Sequence, residues 1–147
     1  MVVIDTNIDD MSPQVFGHVM GRLFSAGALD VYFTSIQMKK NRPGTMLSVI
    51  ARRTDETALA QLILRETSTF GVRVHPISRY EADRAIQPIQ TEYGEVAVKV
   101  KILDGAKIQA APEYEDCARL AAQLNIPVIH VYQAALLAAG KLEKQGI

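Results

Sequence analysis

The chain has 147 residues, 48% hydrophobic and 22% charged, and its 16 basic and 16 acidic residues cancel. That length and balance describe a soluble globular chain of one domain or two small ones, and they argue against a dedicated nucleic-acid binder, which shows a basic excess. The lone cysteine, Cys117, excludes a disulfide within the chain, and neither a signal peptide nor an apolar run of about 18 residues is visible, so a cytoplasmic protein with no membrane partner is expected.

The chain opens in a strand, residues 2–8, with Val2, Ile4 and Ile8 on one face. This abrupt start leaves open both a piece of a longer protein and a short native chain. Ser12-Pro13 reads as a helix start, and Val15, Phe16, Val19, Met20, Leu23 and Phe24 follow at helical spacing until Gly27. "LDVYFTSIQM" is a second strand. "NRPGT" is expected as a turn with Pro43-Gly44 at its centre, before a third strand "MLSVIA". A helix is predicted from Asp55 to Thr67, with Leu59, Leu62, Ile63 and Glu66 along one side, and Gly71 opens a fourth strand, "VRVHPI". Strand, helix, two strands, helix, strand is the ferredoxin-like βαββαβ order.

Beyond "RYEADR" the pattern changes to a small β-hairpin plus two-helix subdomain. The hairpin turns near Tyr93-Gly94, with Val96, Val98, Val100 and Ile102 on one face and Lys99 and Lys101 on the other. Asp104-Gly105 is a tight turn into "KIQAA". Pro112 is expected to start a helix whose first turn is the acidic "EYED", and Asn125-Ile126-Pro127 to break it. A last helix is predicted to end at Gly140, with "KLEKQGI" as a frayed tail. The fold class is therefore α+β, with a ferredoxin-like domain over residues 1–80 and the hairpin and helix pair over 85–147.

The stretch "DTNIDDMSP" begins like a calcium loop, since Asp5, Asn7 and Asp9 alternate. The sixth position should then be Gly and is Asp10; the twelfth should be Glu and is Phe16; no helix precedes it. An EF-hand is excluded. The ferredoxin-like path offers another role. It brings three polar segments to one edge of the sheet: "NIDDMSP", "MKKNRPGT" and "RETSTFGVR". Asp9 and Asp10 would there meet Lys39, Lys40, Arg42 and Arg73, with Thr67, Ser68 and Thr69 nearby and a positive helix N-terminus. Carboxylates suit a hard divalent cation and guanidinium or ammonium groups suit phosphate oxygens, so together they match a metal–nucleoside triphosphate.

Plainer readings stand beside these. Asp9 and Asp10 could simply complement the helix dipole, "KKNRPG" could be a solvated hairpin tip, and Arg73 could pair with Asp5 or Glu66. "EYED" reads first as capping charge, and Cys117 as a core thiol. His18, His75 and His130 show no ligand spacing, no phosphate-loop or nucleophile-elbow motif occurs, and strands one and three lack the aromatics of an RNA-binding sheet.

Five blocks, "NIDDMSP", "AGALDVYFT", "MKKNRPGTMLSV", "RETSTFGVR" and "APEYEDCARLA", resemble, in order, the C-terminal region of the nickel-insertion proteins of lactate racemase cofactor synthesis. The resemblance runs from about residue 4 to residue 139. It implies a CTP-dependent cyclometallase (a lyase) that inserts nickel into a pyridinium bisthiocarboxylate mononucleotide, CTP being cleaved to CMP and diphosphate with Mg²⁺ or Mn²⁺. It also implies a larger N-terminal region, with a histidine-rich nickel-binding stretch, that this sequence does not include. Carried onto this chain, Asp9 and Asp10, with Asp5, would hold the divalent ion, and Lys39, Lys40, Arg42 and Arg73 would neutralise phosphate charge. Asn7, Asn41 and Thr69 would add hydrogen bonds, and Glu113 and Asp116 would face the base or the pincer substrate. A homo-oligomer, trimer or hexamer, is expected. The alternatives are a nucleotide-sensing module that binds without cleaving, and a plain oligomerisation domain.

Overall fold

The computed structural model describes residues 1–143 and divides into two compact units, with the boundary between Arg79 and Tyr80. The first contains β1 (Val2–Ile8), α1 (Pro13–Ser25), β2 (Asp30–Met38), β3 (Arg42–Ala51), α2 (Glu56–Glu66) and β4 (Arg73–Pro76). Its sheet has the order β2-β3-β1-β4, and each pair is antiparallel. This is the ferredoxin-like arrangement expected from the element order.

Alternation along β1 buries Val2, Ile4, Thr6 and Ile8 and turns Val3, Asp5 and Asn7 to the other face. The buried face packs on α1 through Val19 and Leu23 and on α2 through Leu59 and Ile63, residues four apart and therefore on one side of each helix. Phe16 meets Phe33 edge-on, with ring centroids 5.1 Å apart.

The β2–β3 connection departs from expectation. Pro43-Gly44 is not the turn; both residues lie inside β3, where they pair with Gln37 and Ile36. The turn comes earlier, over Lys39–Asn41, and Lys40 and Asn41 carry it with φ of 61° and 56°. Asparagine tolerates this left-handed region, whereas lysine does so at a cost. Gly44 is instead a close-packing residue: a Cβ there would sit 2.6 Å from Met38 Sδ and 3.0 Å from the Ile8 carbonyl oxygen.

The second unit contains β5 (Asp83–Thr91), β6 (Gly94–Leu103), β7 (Ala106–Pro112), α3 (Tyr114–Leu124) and α4 (Val128–Glu143). The three strands form an antiparallel sheet, and one face carries Ile89, Val96, Val98, Val100 and Ala110 against α3 and α4. Asp104 and Gly105, both at positive φ, make the predicted tight turn. Pro112 ends β7 instead of opening α3, which begins at Tyr114; its amide-free nitrogen suits an edge strand as well as a first helical turn. Asn125, left-handed at φ 53°, ends α3 as expected. α4 continues through Gly140 to Glu143, so the first residues of the supposed frayed tail are helical; residues 144–147 lie outside the described part. Cys117 is fully buried, and burial pushes its thiol pKa up, which keeps it neutral and inert.

Asp116 joins α3 to the sheet. One carboxylate oxygen accepts the Ala97 amide at 2.9 Å and the other accepts Arg119 at 2.9 Å. The backbone amide first, and Arg119 second, hold its pKa below the usual carboxylate range.

Two stability measurements follow from these local features. Asp116→Asn should cost about 1–2 kcal/mol at neutral pH. A depressed folded pKa contributes stability that is complete above the ordinary Asp value and lost as pH falls through the folded one. The difference between wild type and variant in denaturant melts should therefore shrink on acidification through that window; a constant difference would refute the role. Lys40→Gly should raise stability by roughly 1 kcal/mol through relief of the left-handed strain, read as an increased denaturation midpoint.

Candidate functional site

Three connections meet at the edge where β1 ends. The β1–α1 loop is tied to the β2–β3 hairpin by an ion pair, Arg42 to Asp9, at 3.4 Å. It is tied to the α2–β4 joint by a short hydrogen bond of 2.5 Å from the Ser68 hydroxyl to Asp10. Below these, the buried Thr6 hydroxyl shares a 2.6 Å hydrogen bond with the Thr69 hydroxyl and donates to the Gly71 carbonyl at 3.0 Å. The strand, the loop and the joint are thereby fixed in one place.

Neither aspartate caps α1. The N-cap is Ser12, which makes no side-chain cap bond, and the first turn holds no acid. The helix-dipole reading of Asp9 and Asp10 thus loses its geometry, because both precede the helix and turn to other elements. Asp9 also lines an open cleft of about 570 Å³ with Pro13, Phe16, Gln37 and Thr45.

The cations divide into two kinds. Arg42 is paired with Asp9, and Arg73 donates to Asn7 Oδ1 at 2.8 Å. Arg73 stands opposite Asp5 in register, yet its guanidinium chooses Asn7. Lys39 and Lys40 have no acidic partner among the described residues, and both are exposed at the hairpin tip beside Asn41.

Asp5 is placed differently from Asp9 and Asp10. It lies on the open face of the sheet, 3.9 Å from His75 Nε2 and directly across from Ser48. Asp5 Oδ1 and Ser48 Oγ are both buried without a hydrogen bond to a described group. Among the described residues no three His, Cys, Asp or Glu side chains are arranged to hold a metal ion. Asp5, Asp9 and Asp10 therefore form no ready three-carboxylate cage. A divalent ion carried on phosphates keeps several phosphate and water ligands and needs only one or two carboxylates, a donor set that Asp9 and Asp10 can supply.

Glu113 and Asp116 belong to the second unit. Glu113 pairs with Lys99 at 2.9 Å, and Asp116 spends both oxygens on Ala97 and Arg119. The sequence alone reads "EYED" as capping charge, and the family resemblance has them face the base or the pincer substrate; in the structure their partners lie within the second unit. The sequence places Ser68 nearby without a role and assigns no part to Thr6; both fasten the edge. A threonine inside an otherwise aliphatic alternation was the available signal for Thr6.

Comparison with known proteins bears on the chain as a whole. A family model described as "Nickel insertion protein" matches residues 1–132. A pyridinium-3,5-bisthiocarboxylic acid mononucleotide nickel insertion protein from Thermotoga sp. (strain RQ2) is 45% identical over 133 residues, covering 90% of this chain and 33% of the relative. A protein of the same name from Acetivibrio thermocellus is 45% identical over 132 residues, covering 90% of this chain and 32% of the relative. The chain thus spans about a third of the length of these curated relatives. Among solved structures, LarC2, the C-terminal domain of a cyclometallase involved in the synthesis of the NPN cofactor of lactate racemase, superposes with a TM-score of 0.89 at 46% identity, covering 93% of this chain and 94% of that one. A Methanopyrus kandleri protein shares the fold, with a TM-score of 0.70 at 23% identity over 94% of this chain and 85% of that one. With nearly its whole length matched, the chain belongs to the nickel insertion protein family.

Proposed function

We propose that this chain is the CTP-binding part of a cyclometallase that inserts nickel into a pyridinium bisthiocarboxylate mononucleotide, with CTP cleaved to CMP and diphosphate. The observation that carries the reading is the meeting of Asp9 and Asp10 with Arg42 at one edge, beside Lys39 and Lys40, which have no acidic partner among the described residues. Family membership supports the nickel-insertion role; the edge supports the triphosphate.

In this reading Asp9 is the carboxylate that faces the divalent ion. Its present partner is an exposed arginine at 3.4 Å, and such surface pairs contribute only about 0–1 kcal/mol. Arg42 can exchange that contact for charge-assisted hydrogen bonds to phosphate, each worth about 1.5–3 kcal/mol. Lys39 and Lys40 add point charges for the outer phosphates, and Arg73, held by Asn7, adds a fourth cation. Asp10 has a positioning role: through Ser68 it keeps the α2–β4 joint against the loop. A Mg²⁺ or Mn²⁺ held with Asp9 would supply further neutralisation of phosphate charge. The cations of the chain stabilise the charge that builds on the departing diphosphate.

Calorimetry separates these roles. Mn²⁺·CTP should bind the chain in the micromolar range, and ATP much more weakly; equal affinity for both nucleotides would defeat the CTP reading. Asp9→Asn should abolish the heat, whereas Asp10→Asn, which keeps an acceptor for Ser68, should weaken binding less than about tenfold, near 1.4 kcal/mol. The reverse order would exchange the two roles. Lys40→Gly, expected to be the more stable protein, should bind CTP more weakly. Detection of CMP with the pincer substrate present, using the chain with and without the N-terminal region of a relative, distinguishes cleavage from simple binding.

A further inference from the structure

In the sheet of the second unit the pleat that buries Val96, Val98 and Val100 turns Lys99 and Lys101 to the opposite face. Arg84 on β5 stands directly across from Lys101, and Gln109 on β7 flanks Lys101 on its other side. Like charges directly opposite on antiparallel strands are unfavourable. Neither cation has an acidic partner among the described residues. Lys99, one pleat away, is different: Glu113 neutralises it at 2.9 Å. Arg84, Lys99, Lys101 and Gln109 line an open depression of about 320 Å³. Asp83 borders it, but pairs in register with Ile102 and so belongs to the other face of the pleat.

We propose that this face binds the phosphate of a mononucleotide, with Arg84 and Lys101 as the paired cations and Gln109 as a hydrogen-bond donor. Charge selects the occupant. Two adjacent cations match one phosphate monoester dianion, and an arginine beside a lysine offers both the planar fork and the point charge that phosphate accepts. A metal–triphosphate would need a free carboxylate for its ion; Glu113 is taken by Lys99, and Asp83, which borders the depression, belongs to the other face of the pleat. The identification of the mononucleotide as the pyridinium substrate rests on the function proposed above; anion capture by Arg84 and Lys101 does not.

The test is an amide-resolved NMR titration of the 147-residue chain. The probes are inorganic phosphate, then nicotinic acid mononucleotide, which keeps a pyridinium ring, a carboxylate and a phosphate, then Mg²⁺·CTP. The mononucleotide should shift the amides around Arg84, Lys101 and Gln109 at millimolar concentration or below, and more tightly than phosphate. Arg84→Gln and Lys101→Gln should each weaken it by about tenfold, as expected for loss of one charge-assisted contact, and leave the remaining spectrum in place. Both variants should bind Mg²⁺·CTP as the wild type does. No shift on this face, shifts that survive the double variant, or shifts that appear on protein concentration alone would overturn the proposal. Shifts here from CTP in preference to the mononucleotide would overturn the choice of occupant. If Mg²⁺·CTP fails to bind anywhere while the mononucleotide still shifts these amides, the anion face stands and the CTP reading falls.

Discussion

The pairing of β1 on both sides governs the first unit. Because β3 and β4 both run antiparallel to it, the far end of β1 must lie beside the start of each neighbour. Two segments remote in sequence are thereby delivered to the loop that follows Ile8. The buried hydrogen bonds of Thr6 with Thr69 and Gly71 then set the height at which the α2–β4 joint sits. A hydroxyl in that position must be satisfied or costs about 1–3 kcal/mol, so the fold and the placement of the joint are stabilised together.

The edge so built is uneven in charge, and that unevenness is its chemistry. Carboxylates come from the loop after the central strand, and cations come from the hairpin and the outer strand. Among the described residues one direct ion pair crosses the edge, Arg42 with Asp9, and it is long and solvent-facing. Interactions of that type hold a geometry without competing strongly with a ligand. The hairpin tip adds a second asymmetry, since Lys40 keeps its charge in a backbone region that disfavours it.

Much of this was legible in the residues. Aliphatic alternation in β1 and four-residue spacing in α1 and α2 pointed to the βαββαβ order, and the order pointed to the polar edge. What eluded the sequence was decided by contacts. Pro43-Gly44 has the composition of a turn, but the strand pairing of Pro43 with Gln37 and the close approach of Gly44 to Met38 place both residues in β3. The reach of Pro112 into β7 depended on pairing with Val98, which no local preference encodes. Which partner each carboxylate takes is likewise a tertiary matter. Asp5, Asp9, Asp10, Glu113 and Asp116 look alike in the sequence, yet their neighbours range from a histidine to a backbone amide.

The alternation of β1 has a consequence for folding as well. A strand that slips by one residue exchanges its two faces. Here a slip would carry Asp5 and Asn7 under the helices and bring Ile4 and Ile8 into water. Burying an ionised carboxylate without a partner costs several kcal/mol, far more than a typical gain from an alternative pairing. Asp5 and Asn7, two of the polar residues that make the stretch look like a metal loop, therefore also act against misregistered sheets. A chain whose central strand must find two neighbours in sequence-distant places gains from a strand that tolerates only one alignment.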